Sequence, residues 1–226
     1  IILIVEDDIA DNVSNPNKGV IQVTIGGNNV YENVEIDYRM SSLKAKDILA
    51  ILNGEKSETL PTVIESTEND NLFVFWSGHG VPGAMCWDEE PYAMTGDDLS
   101  TVFKDMNLKR RYRKLLMMVE ACFSGGVMEQ CEGIPGMLFI TAANGDETSK
   151  ADVFNGEMKV WMSNRFTSTF IEQITDNKDV AMRDLYYRLF INTVGSHVMV
   201  YNAENYGNLY SVNMSEFINF KNDKSK

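Results

Sequence analysis

The sequence predicts an α/β domain built on a mostly parallel sheet. Two observations carry this. Short, continuous apolar runs recur along the chain, as in Leu72 to Trp76, Leu115 to Ala121 and Met137 to Ala142. They alternate with stretches of helical periodicity, the pattern of strands covered on both faces by helices. No internal repeat, low-complexity segment or domain boundary interrupts the pattern, so residues 1–220 are expected to form one domain, with 221–226 a disordered tail.

Ile1 to Val5 reads as a buried strand ended by Glu6, Asp7 and Asp8. A charged α-amino group at the start of a buried strand is costly. The strand is therefore expected inside the sheet, beside a strand that residues 1–226 do not supply. Val20 to Ile25 and Val30 to Ile36 flank Gly26-Gly27-Asn28-Asn29, which predicts a hairpin. Ser41 to Asn53 predicts a helix, capped by Ser41 or Ser42, apolar at Leu43, Ile48, Leu49 and Leu52, and stopped by Gly54. Ala84 to Trp87 is a short apolar segment. Thr95 and Asp98 form a capping box for a helix over about 97–107. Val160 to Thr175 and Asp179 to Thr193 predict two helices, and His197 to Tyr201 a late strand.

Composition narrows the function. The 226 residues carry a formal net charge of −13, which argues against nucleic acid or an anionic membrane as the main partner. The one basic cluster, Lys109 to Lys114, reads as a solvated helix end. No apolar run reaches the ~18 residues of a membrane span. Three cysteines, Cys86, Cys122 and Cys131, cannot form a closed disulfide set. Two histidines and no CxxC make zinc a poor fit, and no metal or cofactor is expected.

The chemistry concentrates at two strand ends. In parallel sheets the ligand crevice lies outside the carboxyl ends of the strands. His79 follows one apolar run in "NLFVFWSGHGVPG" (71–83), and Cys122 follows another in "LLMMVEACFSGG" (115–126). Gly80 follows His79, and Gly125 and Gly126 follow Cys122. Glycine lets a substrate backbone come close. A helix starting at Ser124 would present its amino end to the thiolate. A neighbouring histidine would activate the thiol and protonate a leaving amine. Backbone N–H groups of Gly80 and Cys122 could hold an oxyanion. Singly, a cysteine on an apolar strand is usually packing and a lone histidine usually structural. Their matched positions favour the joint reading. Cys86 and Cys131 lack that setting and read as packing or surface thiols.

"SGHG" followed by "EACFSGG" resembles the motifs of legumain-type cysteine peptidases, a family of the caspase-like clan. It includes asparaginyl endopeptidases and the catalytic subunit of the glycosylphosphatidylinositol transamidase. "VEDDIADNVSNPNKGVI" (5–21), "NVYENVEIDYRMSSLKAKDILAIL" (29–52), "YRKLLMMVEACFSG" (112–125), "TAANGDETSKA" (141–151) and "SHVMVYN" (196–202) extend the resemblance to about residue 201. It implies a caspase-like three-layer sandwich with a sheet of about six strands. It implies His79 as general base and acid, Cys122 as nucleophile, and a substrate pocket at Glu120, Thr148 and Ser149. It makes Asp7 and Asp8 a structural pair and favours an extracytoplasmic location.

Three departures stand out. The family's first strand and helix have no counterpart in residues 1–226. They carry an asparagine that orients the histidine and an arginine of the specificity pocket. Gly78 stands where legumains carry aspartate, as in the transamidase pattern. Lys159-Val160-Trp161 stands where legumains place an acid before an aromatic residue. The expected function is cysteine endopeptidase on peptide or protein substrates, acting through a thioester acyl-enzyme, with a separate amino-terminal fragment as a further partner. The alternatives are a transamidase or peptide ligase using the same acyl-enzyme, and a catalytically silent scaffold.

Overall fold

A computed structural model describes residues 1–6, 9–87 and 90–219. The Asp7/Asp8 pair and the 221–226 tail lie outside the described residues. The elements run β1 (Ile4–Val5), β2 (Tyr38–Arg39), α1 (Ala45–Asn53), β3 (Asn71–Ser77), β4 (Gly80–Val81), β5 (Ala84–Trp87), β6 (Glu90–Thr95), α2 (Gly96–Leu108), β7 (Lys114–Glu120), α3 (Ser124–Met128), β8 (Met137–Thr141), β9 (Ala151–Asn155), β10 (Val160–Asn164), α4 (Arg165–Asp176), α5 (Met182–Asn192), β11 (Met199–Tyr201) and α6 (Ala203–Tyr206).

The central sheet has the order β11-β8-β7-β3. β3, β7 and β8 are parallel, and β11 joins antiparallel. The fold is a mixed α/β architecture of the caspase-like kind. Strand alternation sorts the apolar side chains into two cores. Leu115, Met117 and Val119 of β7 and Met137 and Phe139 of β8 face α1, α2 and the β4–β6 sheet. Leu116 and Met118 of β7 and Leu138 and Ile140 of β8 face α4 and α5. These β7 and β8 positions are almost completely buried, which explains runs without polar interruption.

Several elements depart from the sequence reading. β1 and β2 pair with one another, apart from the central sheet, so the expected strand at Ile1 to Val5 is short and half-exposed, and Ile1 itself is exposed. The expected hairpin over 20–36 has no ladder. One backbone bond, Val30 N–H to Ile21 O at 2.8 Å, joins the two arms, and Asn29 supplements it: its Oδ1 accepts from the N–H of Ile21 and of Tyr31, and its Nδ2 donates to Gly19 O. Helix α1 starts at Ala45 rather than Ser41, because Asp47 Oδ2 accepts the Lys44 N–H at 2.8 Å while Ser42 Oγ turns back to Arg39 O. The helix expected from Val160 begins only at Arg165. Residues 160–164 form β10, paired with β9, and the rings of Trp161 and Phe154 meet across that hairpin at 5.1 Å. Such cross-strand aromatic pairs favour a ribbon over a helix.

β3 is less buried than its composition predicts: Leu72 to Trp76 are all half-exposed. Its outer edge is the end of the central sheet. Between that edge and β1 runs a groove of about 940 Å³, lined by Ile1 to Glu6 on one wall and by Asn71 to His79 on the other. Trp76 Nε1 is buried there without a partner among the described residues.

The far edge is tied down by Asn202, which is buried in a left-handed conformation at φ 64°. Its Nδ2 donates to Ile134 O and Met137 O at 2.6 and 2.8 Å, and its Oδ1 accepts from Gly133 N and Asn205 Nδ2. Asn202→Ala strands two buried carbonyls and loses the left-handed tolerance of asparagine. A loss of about 3 kcal/mol is expected in denaturant titration.

Candidate active site

The two strand ends meet because β3 and β7 pair in parallel register through Ser77 opposite Glu120. Gly78 N–H donates to Glu120 O at 3.0 Å, which carries the pairing one step past the strand. His79 and Cys122 then stand at equivalent positions, each two residues beyond that matched pair. His79 is exposed and Cys122 half-buried. His79 O accepts the Cys86 N–H at 3.0 Å, which ties the histidine turn to β5.

Gly80 is the point of closest approach. A Cβ there would lie 2.1 Å from Cys122 O and 3.2 Å from Cys122 C, so only glycine lets the two turns touch. Phe123, next after Cys122, is left-handed at φ 56°, and its N–H donates to Glu147 O at 2.8 Å. A Cβ on Gly125 would strike Tyr201 Oη and the Asn144 backbone. The helix that follows, α3, has five residues, so its dipole gives a thiolate only modest support.

Glu120 lies beneath the thiol and is 1% exposed. Its Oε2 accepts from Thr167 N and Thr167 Oγ1 at 2.9 and 3.0 Å, so the acid caps the first turn of α4. Its Oε1 is buried with no completed hydrogen bond among the described residues. Burial pushes the carboxyl above its ordinary range, opposed by the Thr167 bonds and by the nearby Ser149 hydroxyl. Ser149 Oγ also lies 3.9 Å from Cys122 Sγ, which puts it beside both acid and thiol. Thr148 is exposed, and its Oγ1 accepts from Lys150 Nζ at 2.9 Å rather than turning to Glu120. The structure thus gathers Cys122, Glu120 and Ser149, sets His79 on the adjoining turn, and leaves Thr148 outside.

Thr167 was not anticipated. The signal was present, because an acid at a strand end can serve a helix start elsewhere in the chain, but sequence does not say which helix. Val160, the residue before Trp161, is 40% exposed on the β9–β10 hairpin. The start of that hairpin is held to α4 by Arg165 Nη2 on Asp152 Oδ1 at 2.8 Å.

Cys131 is buried, and burial pushes its thiol up to about 12. Cys86 is half-buried; burial raises its thiol, with a second contribution from the neighbouring Cys122. Among the described residues no group of three or more His, Cys, Asp or Glu could hold a metal. Among the described residues no helix is long and apolar enough to cross a membrane.

The Peptidase C13 family model matches residues 1–217. The chain is 29% identical over 208 residues to legumain of Rattus norvegicus, covering 89% of the chain and 47% of that protein. It is 31% identical over 232 residues to hemoglobinase of Schistosoma mansoni, covering 96% of the chain and 50% of that protein. It is 36% identical over 155 residues to the vacuolar-processing enzyme of Vicia sativa, covering 66% of the chain and 31% of that protein. The chain therefore spans about half the length, or less, of these relatives.

The three thiols separate by environment. Native protein treated with iodoacetamide at about pH 8 should lose the Cys122 thiol first and keep Cys131 unmodified. Peptide mapping reads the order, and His79→Ala should slow the Cys122 reaction. Equal labelling of Cys122 and Cys131 would contradict the assignment of Cys122 as the reactive thiol.

Proposed function

The chain belongs to the peptidase C13 family, and from that premise we propose that it forms the peptidase domain of a cysteine endopeptidase. One observation carries the reading: the β3–β7 register and the Gly80 contact bring the turns of His79 and Cys122 together. In the proposed cycle His79 takes the Cys122 proton and the thiolate attacks the scissile carbonyl. Backbone N–H groups of Gly80 and Cys122 receive the oxyanion. His79 returns the proton to the leaving amine, and water releases the thioester with His79 as base. An amine acceptor in place of water would give the transamidase outcome from the same intermediate.

Glu120 and Ser149 support a polar pocket for the residue before the cleaved bond. A buried carboxylate oxygen without a partner favours a donor, and such a group left unpaired costs roughly 1–3 kcal/mol. The side-chain amide of asparagine supplies a donor, and so does a basic side chain. We assign first preference to asparagine or another small polar residue, and second to a basic one.

The groove between β1 and β3 supports a further partner. Among the described residues both walls are strands with an unpaired edge, and apolar side chains such as Ile2, Ile4, Leu72, Val74 and Trp76 line it together with polar ones. Its occupant is proposed to be one extended strand from outside residues 1–226, corresponding to the family's first strand, in the β-augmentation mode. In the whole protein the β3 amides, Asn71 to Ser77, should then be protected from hydrogen exchange as strongly as those of β7. Fast exchange confined to β3 would rule this occupant out.

Cys122→Ala should abolish hydrolysis and thioester trapping by hydroxylamine while changing stability by less than about 1 kcal/mol, since the thiol sits at a turn. Hydrolysis that survives this change would refute the nucleophile assignment. A mixed peptide library reads the pocket. Glu120 ionises above its ordinary 4.5 because burial raises it, so preference for basic residues over asparagine should grow as pH rises through that range. Glu120→Gln should remove that pH dependence. Cleavage after large apolar residues would show the pocket to be elsewhere.

A further inference from the structure

The second histidine, His197, and Glu147 of the loop after β8 have no part in the chemistry above, yet they converge on the Cys122 turn. Glu147 is the centre of that convergence. Its Oε1 accepts the N–H of Asn144 at 3.2 Å and of His197 at 2.7 Å, and its Oε2 lies 2.9 Å from His197 Nδ1. Its backbone carbonyl accepts the Phe123 N–H at 2.8 Å. The same loop takes Gly125 N–H and Ser124 Oγ on Ala143 O, at 3.1 and 3.3 Å. On its other side Ser196 Oγ donates to Ala142 O at 2.7 Å. The loop is therefore clamped between the turn that carries Cys122 and the start of β11.

The turn needs such a clamp. Phe123 is a non-glycine residue in the left-handed region, a conformation that persists only where its surroundings over-determine it. Ser149, two residues past Glu147, must also hold its place 3.9 Å from Cys122 Sγ. A bare surface ion pair would contribute little. Here the His197 side chain is 69% exposed but the Glu147 side chain only 24%, and two of the groups on the carboxylate are backbone N–H donors. Burial alone would raise the Glu147 carboxyl. The bonds from the His197 ring and backbone and from Asn144 outweigh it and hold the group below the usual carboxylate range.

We propose that Glu147 and His197 are positioning residues for the Cys122 turn. Glu147 fixes Phe123 through its carbonyl and Ser149 through the chain, and His197 fixes Glu147 from β11. Neither is placed at the reacting atoms. The inference rests on Cys122 being the nucleophile, so its test includes a readout that does not need turnover.

The experiment uses the whole protein. It compares Glu147→Ala, Glu147→Gln, His197→Ala and wild type by peptide kinetics and by the iodoacetamide rate at Cys122 relative to Cys86. Glu147→Ala should lower kcat about 10- to 100-fold, the scale expected for a misplaced reacting group, with a smaller change in KM. It should also lower the Cys122-to-Cys86 labelling ratio. Glu147→Gln keeps an acceptor oxygen for the two backbone N–H groups and should recover most of both. His197→Ala, at a largely exposed ring, should fold and fall between them. Unchanged kcat and labelling ratio in His197→Ala and in folded Glu147→Ala would overturn the proposal, whatever happens to melting temperature. If wild type cleaves no peptide but the ratio still falls in Glu147→Ala, the peptidase reading fails and the positioning role stands.

Discussion

The parallel pairing of β3 with β7 is the constraint on which the site depends. A register fixed at Ser77 and Glu120 sets the chain positions of His79 and Cys122 through the backbone. The register is hard to slip. β7 contributes alternate side chains to two separate cores, and a shift by one residue would exchange every one of them. Gly80 then decides how near the turns can come, because its α-carbon faces Cys122 O where any Cβ would collide. Backbone geometry thus brings the two turns together, with the core supplying the stability.

Glu120 links that geometry to the opposite layer. The same carboxylate caps α4 through Thr167 and leaves its other oxygen buried beside Ser149. A carboxylate at a helix amino end is favourable, and this offsets part of the penalty of burying it. The acid therefore has a structural bond on one oxygen and an unspent acceptor on the other. In the proposed pocket such an acid would discriminate by being left unpaired with the wrong side chain, which is a stronger filter than apolar fit.

How much of this could be read from sequence varied with the kind of interaction. The runs at 115–121 and 137–142 were legible because strands buried on both faces tolerate nothing but apolar residues. The placement of His79 and Cys122 just past strand ends, with glycines after them, was legible because each follows an apolar strand within two residues. The β10 segment was misread as helix, since Val160 to Asn164 has no periodicity that excludes a strand and its partner β9 is set by a turn and an aromatic pair. The hairpin expected at 20–36 failed for the opposite reason. Its apolar residues had no sheet to join, and Asn29 satisfies the backbone locally. Thr167 and the Glu147–His197 pair were invisible, because each depends on residues brought together from distant parts of the chain.

β3 has two edges with different fates. One edge is paired along its whole length to β7 and ends at the candidate site. The other borders the groove, where, among the described residues, Trp76 Nε1 is buried without a partner and β1 has one edge unpaired. An unpaired strand edge is a template for another strand. The groove wall continues to His79 itself, so whatever lies along β3 also borders the histidine turn. Packing in that groove and the placement of His79 are therefore coupled through one strand. Cys122 has further supports away from the groove, through β8 beside β7 and through the Glu147 loop. The His79 turn thus borders the groove, while the Cys122 turn takes its additional support from the sheet interior and the Glu147 loop.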